Sequence, residues 1–286
     1  MNSFIQYCSK KSCNPWKANL PVILDYLTHL FKNNLSYNSI NLARSALSLF
    51  LPKVDQFSVG CHPLVVKLMK AIFRANPPSA KYSNTWSVDK VLNMLECWPD
   101  NEHLSIEQLS MKLVGLLALT TAQRVQTLAA ICVNEINLGD VTTIDVHSML
   151  KTTRPNALNN RIALRSFKEK PKLCVVSCLK TYLFRTLACR KGYSLLIANK
   201  APYENVTTQT ISRWLRKLLD LAGVDSCFGS HSFRHASVSK AFKKDVPIDT
   251  IFKAAGWSSS SKMFARHYNR IILEPDCTYS NSILMK

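Results

Sequence analysis

HSFRHASVSKAFKKDVPIDTIFKAAGWSSSSKMFARHYNR, residues 231–270, is the stretch on which the reading of this chain turns. Ser230 can open a helix, and on that helix His231 and Arg234 lie three apart, which sets them on one face. About fifteen residues of amphipathic helix and turn then lead to Gly256-Trp257, a serine run follows, and Tyr268 comes after it among Arg266, His267 and Arg270. Far upstream, Arg124 sits in TTAQRVQTL at the end of an apolar helix. Planar guanidinium groups such as those of Arg124 and Arg234 can bond two phosphate oxygens at once.

The charge of the whole chain agrees with such a substrate. Thirty-seven Lys and Arg face 18 Asp and Glu over 286 residues, a net charge of +19. An excess of that size points to a polyanion, nucleic acid first. It is spread along the chain: residues 1–86 hold ten basic and two acidic residues, and the remainder holds 27 and 16. A basic tail would be local, so two folded parts are expected to touch the polyanion. Hydrophobic residues make up 47% of the chain, enough for a core, and no apolar run reaches a membrane span. Met1 to Cys13 lacks the apolar centre of a signal peptide, so an intracellular protein with no membrane association is expected. The ten cysteines include no C-x-x-C pair and read as reduced thiols.

The first part reads as three helices. Leu20, Ile23, Leu24, Leu27, Leu30 and Phe31 share one helical face; Ser36 caps a second helix that Pro52 stops; a third runs from about Pro63 to Arg74 and ends before Asn76-Pro77-Pro78. The short, polar, basic stretch from Pro77 to Trp86 contains the linker. The expected division is a helical domain at 1–78, a linker at 79–86 and a larger domain at 87–286. In the larger domain, Ser87 caps a helix, an apolar helix follows from about Ser105 to Thr120, and a short one carries Arg124. Then the period changes: Ile144, Val146, Ser148 and Leu150 alternate with Asp145, His147 and Met149, and Ile162 and Leu164 continue on a second strand, with Asn159-Asn160 between them. A small hairpin thus interrupts a mainly helical domain, in which helices resume near Ser177, Thr207, Ser230 and Pro247.

These residues resemble the tyrosine recombinases, the superfamily of the phage integrases. The signature of that superfamily is an arginine near the start of the catalytic domain, a lysine on a β-hairpin, a His-x-x-Arg, a His or Trp after Gly, and a C-terminal tyrosine. Here these fall, in the same order, at Arg124, Lys151, His231 with Arg234, Trp257 and Tyr268. QRVQTL, HSFRHAS and AGWSSSS, with NLSYNSINLARSALS in the first domain, look most similar to the recombinases of DIRS-type retroelements. The resemblance covers nearly the whole chain. It implies a mainly α fold: a small all-helical SAM-like domain that grips DNA, and an α+β catalytic domain with a small antiparallel sheet, together forming a C-shaped clamp on duplex DNA. It also implies a homo-oligomer, a tetramer on DNA, with the tail from Ile271 to Lys286 docking on a neighbouring copy, and a nuclear location for a mobile-element enzyme. No cofactor is expected, because the bond energy is kept in a covalent link and neither ATP nor metal is needed.

The residue types suit that chemistry. Guanidinium forks can bond two phosphate oxygens at once and stay charged, so Arg124 and Arg234 would clamp the phosphate and stabilise the pentavalent transition state. Tyr268, with an ordinary pKa of about 10, needs a neighbouring base, for which His231 is placed. Trp257 can donate only its indole N–H. Lys151 would protonate the leaving 5′-oxygen, although Arg154, Arg161, Lys168, Lys170 and Lys172 lie close by in sequence. His231 and His235 have the spacing of a helical zinc pair, but no Glu stands between them as H-E-x-x-H requires, and no metal site is expected. Two departures stand out: Thr127 replaces the acidic residue many members carry three positions after the first arginine, and Trp257 and Tyr268 are eleven apart, wider than in many relatives. They keep open an alternative, a DNA-binding protein descended from such an enzyme. A type IB topoisomerase is a further rival.

Overall fold

A computed structural model of the chain describes residues 1–78, 82–150, 160–257 and 271–273. The chain divides into two compact units, Met1–Lys81 and Tyr82–Lys286.

The first unit is all-helical in its regular structure. Helix α1 (Asn2–Lys10) was not expected from the sequence; it buries Phe4, Tyr7 and Cys8, spaced three and four apart. Helices α2 (Leu20–Lys32), α3 (Tyr37–Phe50) and α4 (Pro63–Ala75) follow the expected positions. Each starts on a side chain that accepts a backbone N–H: Asn19 from Val22, Ser36 from Ser39, His62 from Leu64. Ile23, Leu27, Ile40, Leu47, Val65, Met69 and Ile72 form the core.

The second unit opens with β1 (Asn84–Trp86) and α5 (Val88–Glu96). Tyr82 and Trp86, from the stretch read as linker, are buried in this unit's core. The central helix α6 (Ile106–Thr121) starts on a capping box between Ser105 and Gln108 and is buried on all sides from Leu109 to Leu119. Gly115 is where it meets α9 (Thr208–Leu221): a Cβ there would stand 2.6 Å from a methyl of Leu218. The short α7 (Val125–Ala129) follows at once, and then a three-stranded antiparallel sheet of β2 (Ile136–Leu138), β3 (Val141–Val146) and β4 (Asn160–Arg165), in that order. Strand β3 starts earlier than the alternation predicted and stops at Val146; Thr142, Ile144 and Val146 point inward, while Met149, in the stretch expected to continue it, is 84% exposed. Asp145 and Arg161 are cross-strand partners joined by two hydrogen bonds of 2.7 and 3.0 Å. Helices α8 (Val175–Thr186) and α10 (Ser232–Lys243) pack on α6, and α11 (Ile248–Ala255) packs on α10, where Ile251, Phe252 and Ala255 cluster with Val238 and Ala122.

A parallel pair was not foreseen: β5 (Ile271–Leu273) lies along β1 of its own chain, Asn84 opposite Ile271 and Trp86 opposite Leu273. Three-residue strands have too little sequence for a period to register. The first three residues of the tail expected to dock on another copy thus pair within their own chain, and the rest of that tail lies outside the described residues.

Lys112 is buried at 0% exposure on α6, and its Nζ has no hydrogen-bond partner among the described residues. Burial pushes its pKa down from the ordinary lysine value. Between the lowered and the ordinary value, the unfolded chain holds a proton that the folded chain lacks, so this residue makes stability rise with pH in that window. Replacing it with methionine should stabilise the unit by about 1–4 kcal/mol near neutral pH and remove that alkaline rise. Urea unfolding near pH 7 and near pH 9 measures both. A methionine variant no more stable than wild type would show that the ammonium is better solvated than its burial implies.

Candidate active site at the junction of α6, α10 and α11

The site grows from two helix ends. Helix α6 stops at Ala122, which takes the left-handed conformation (φ 50°, ψ 24°) and turns the chain sharply. Two residues later Arg124 stands at the N-cap of α7, half-buried; its carbonyl accepts the Leu128 N–H at 3.1 Å, and its side chain makes no hydrogen bond or ion pair with any described residue. Helix α11 ends on Gly256, also left-handed at φ 62°. Here the Trp257 N–H bonds the Phe252 carbonyl at 2.9 Å and the Gly256 N–H bonds that of Lys253 at 3.2 Å, the pattern of a Schellman cap.

Arg234 links these two ends. It lies within α10 at 2% exposure, donating from Nη1 to the Ala122 carbonyl at 2.7 Å and from Nη2 to the Ala255 carbonyl at 2.6 Å. Its guanidinium carbon lies 4.7 Å from the centre of the Trp257 ring, a cation–π contact. Trp257 also meets Phe252 edge-on, at 5.8 Å between ring centres. Gln123, beside Arg124, reaches across as well: its Nε2 donates to the Ala254 carbonyl at 2.9 Å. The loop bearing Arg124 and the turn bearing Trp257 are therefore stitched together by two side chains.

The start of α10 is fixed from β1. The Trp86 indole N–H donates to the Ser232 hydroxyl at 2.8 Å, and that hydroxyl donates to the Gly229 carbonyl at 2.7 Å. His231 sits at the N-cap position rather than inside the helix, exposed, with its ring 5.7 Å from that of His235. His235 is buried against Tyr82, at 5.5 Å between ring centres. Lys240, farther along α10, pairs with Asp89 on α5, and the hydrogen bond from the ammonium holds the Asp89 carboxyl below its usual range.

Of the six residues singled out in the sequence, Arg234 and Trp257 thus touch, Arg124 stands two residues from the Ala122 carbonyl that Arg234 holds, and His231 stands one helical turn from Arg234. Lys151 and Tyr268 lie outside the described residues. Among the described residues, no group of three or more His, Cys, Asp or Glu could hold a metal ion, and no helix is long and apolar enough to cross a membrane. Sequence reasoning passed over Gln123 and the carbonyls of Ala122, Ala254 and Ala255. Backbone acceptors leave no mark in a sequence; Gln123 was visible only as one letter of QRVQTL.

Residues 88–272, a span that contains this junction, match the model of the phage integrase family. The chain belongs to that family. Solved structures agree at the level of fold, across both units of this integrase-family chain. XerA recombinase is 18% identical over 98% of this chain and 88% of its own, with a TM-score of 0.51. XerH site-specific recombinase bound to its palindromic difH substrate is 13% identical over 93% and 72%, with a TM-score of 0.61. The integrase of the transposon Tn1549, in complex with circular intermediate DNA, is 12% identical over 96% and 87%, with a TM-score of 0.56. No curated protein sequence matches the chain.

Proposed function

We propose that this integrase-family chain cuts and rejoins duplex DNA through a 3′-phosphotyrosine, using Tyr268 as the nucleophile. The observation that carries this reading is the junction itself. A guanidinium with no partner among the described residues, Arg124, stands on a loop that a buried second guanidinium, Arg234, ties to the Gly256-Trp257 turn eleven residues before Tyr268. In a chain of net charge +19, that is a place built to receive a phosphate.

In the proposed step, Arg124 and Arg234 hold the nonbridging oxygens of the scissile phosphate and stabilise the charge that builds on them. Tyr268 loses its proton to His231 and its oxygen attacks phosphorus. The P–O5′ bond breaks, and the 5′-oxygen takes a proton from Lys151. Trp257 packs against Arg234 and keeps its plane fixed. A 5′-hydroxyl from a partner strand then attacks the phosphotyrosine, releasing Tyr268 and restoring a phosphodiester, so no nucleotide triphosphate is consumed. The partner is double-stranded DNA, and exchange between two duplexes calls for four copies of the chain assembled on them. The strings QRVQTL and AGWSSSS support a DIRS-type mobile element as the source of the chain and the nucleus as its place of action.

One observation favours a second reading. Arg234 gives two of its N–H donors to backbone carbonyls, which a DNA-binding descendant without the chemistry would also need. The two readings part in a metal-free trapping assay on a nicked suicide duplex carrying the ends of the encoding element. Wild type is expected to give a protein–DNA band that survives denaturation and vanishes in Tyr268→Phe. Binding without a covalent band would establish the descendant instead.

A further inference from the structure

The last turn of α11 shows how the Trp257 turn is held. A helix leaves its final four carbonyls without intrahelical partners. Here the carbonyls of Phe252 and Lys253 are taken by the backbone N–H groups of Trp257 and Gly256. The next two accept no backbone N–H among the described residues, and both are taken by side chains from elsewhere: Ala254 by Gln123 and Ala255 by Arg234. Arg234 belongs to α10, so Gln123 is the side chain that runs directly from the Arg124 loop to α11. It is 9% exposed, and its backbone N–H is turned toward the Thr121 hydroxyl at 3.4 Å. Its amide supplies the Ala254 carbonyl with a donor at the end of a two-carbon stem.

We infer that Gln123 is a positioning residue for the cleavage step: its hydrogen bond to the Ala254 carbonyl fixes the place of Arg124 relative to the Gly256-Trp257 turn. The inference rests on the recombinase reading above. Gln123 and Arg124 are adjacent, so a rotation of the loop that frees the amide also carries the guanidinium away. Losing alignment by about an ångström lowers a rate on the order of 100-fold while leaving phosphate binding by the rest of the protein in place. Two isosteres separate the donor from the volume. Met keeps the length and loses the donor. Glu keeps the shape and donates only when its carboxyl is protonated, so acid should restore its bond to the carbonyl.

The experiment measures single-turnover covalent adduct formation on the nicked suicide duplex, DNA affinity by equilibrium titration, and melting temperature. It uses the full chain well below the melting temperature of each variant. Gln123→Met is expected to slow adduct formation about 10- to 100-fold at unchanged DNA affinity. Gln123→Glu is expected to be similarly slow near pH 8 and to approach the wild-type rate, measured at the same pH, near pH 5. A Met variant that cleaves at the wild-type rate, or whose loss appears wholly in DNA affinity, overturns the inference. So does a Glu variant slowed by the same factor at both pH values, and this comparison decides the matter if the Met variant does not fold. Absence of any adduct with wild-type protein would instead fail the recombinase reading, and the inference with it.

Discussion

Arg234→Lys should lose at least about 100-fold in covalent adduct formation and also soften the fold of the second unit. The guanidinium spans two carbonyls on different helix ends, Ala122 and Ala255, while lying against the Trp257 ring. A lysine keeps the charge but offers one compact ammonium, which cannot lie flat under an indole and bridge both acceptors. At 2% exposure no water replaces the lost contacts. Arg234→Ala goes further and leaves two buried carbonyls without donors, for an expected cost of about 3–5 kcal/mol in stability. Calorimetry on both variants, beside the trapping assay, checks the two parts together. A lysine variant with wild-type rate and melting temperature would mean that charge alone matters at this position.

Arg124→Ala should separate what Arg234 combines. The Arg124 side chain is half-buried and pairs with no described residue, so its removal should change stability by less than about 0.5 kcal/mol. In the proposed step its guanidinium meets developing charge on a phosphate, and loss of one such donor costs about 100- to 1,000-fold in rate. The expected result is a normally folded protein that still binds DNA and forms almost no adduct. A variant that unfolds, or one that cleaves normally, would each remove Arg124 from the role given to it.

The contrast between these arginines marks where the sequence could be read and where it could not. The spacing of His231 and Arg234 and the glycine turn at Gly256-Trp257 were readable, because helix geometry and a glycine turn are local properties. The caps at Ser36 and Ser87, and the long apolar helix α6, were legible for the same reason. The burial of Arg234 was not: a guanidinium read as a phosphate clamp is also a brace between carbonyls, and only tertiary packing supplies those carbonyls. Helix α10 begins at Ser232 rather than Ser230, which puts His231 at the cap and leaves its ring exposed. The parallel β1–β5 pair joins residues nearly 190 positions apart in segments of three, too short for periodicity and too distant for a turn signal. Helix α1 escaped notice because Phe4, Tyr7 and Cys8 make a narrow apolar stripe in an otherwise polar segment.

The central claim is that Tyr268 becomes joined to a DNA 3′-phosphate, and the most direct measurement is chemical. Trapped adduct from the suicide duplex would be digested with nuclease and protease and the peptides sequenced by tandem mass spectrometry. The predicted result is a nucleotide mass added to the tyrosine of the peptide Phe264 to Arg270, at Tyr268. The same mass on another tyrosine, with Tyr279 the nearest in sequence, or a complete set of unmodified tyrosines from DNA-bound protein, would contradict it.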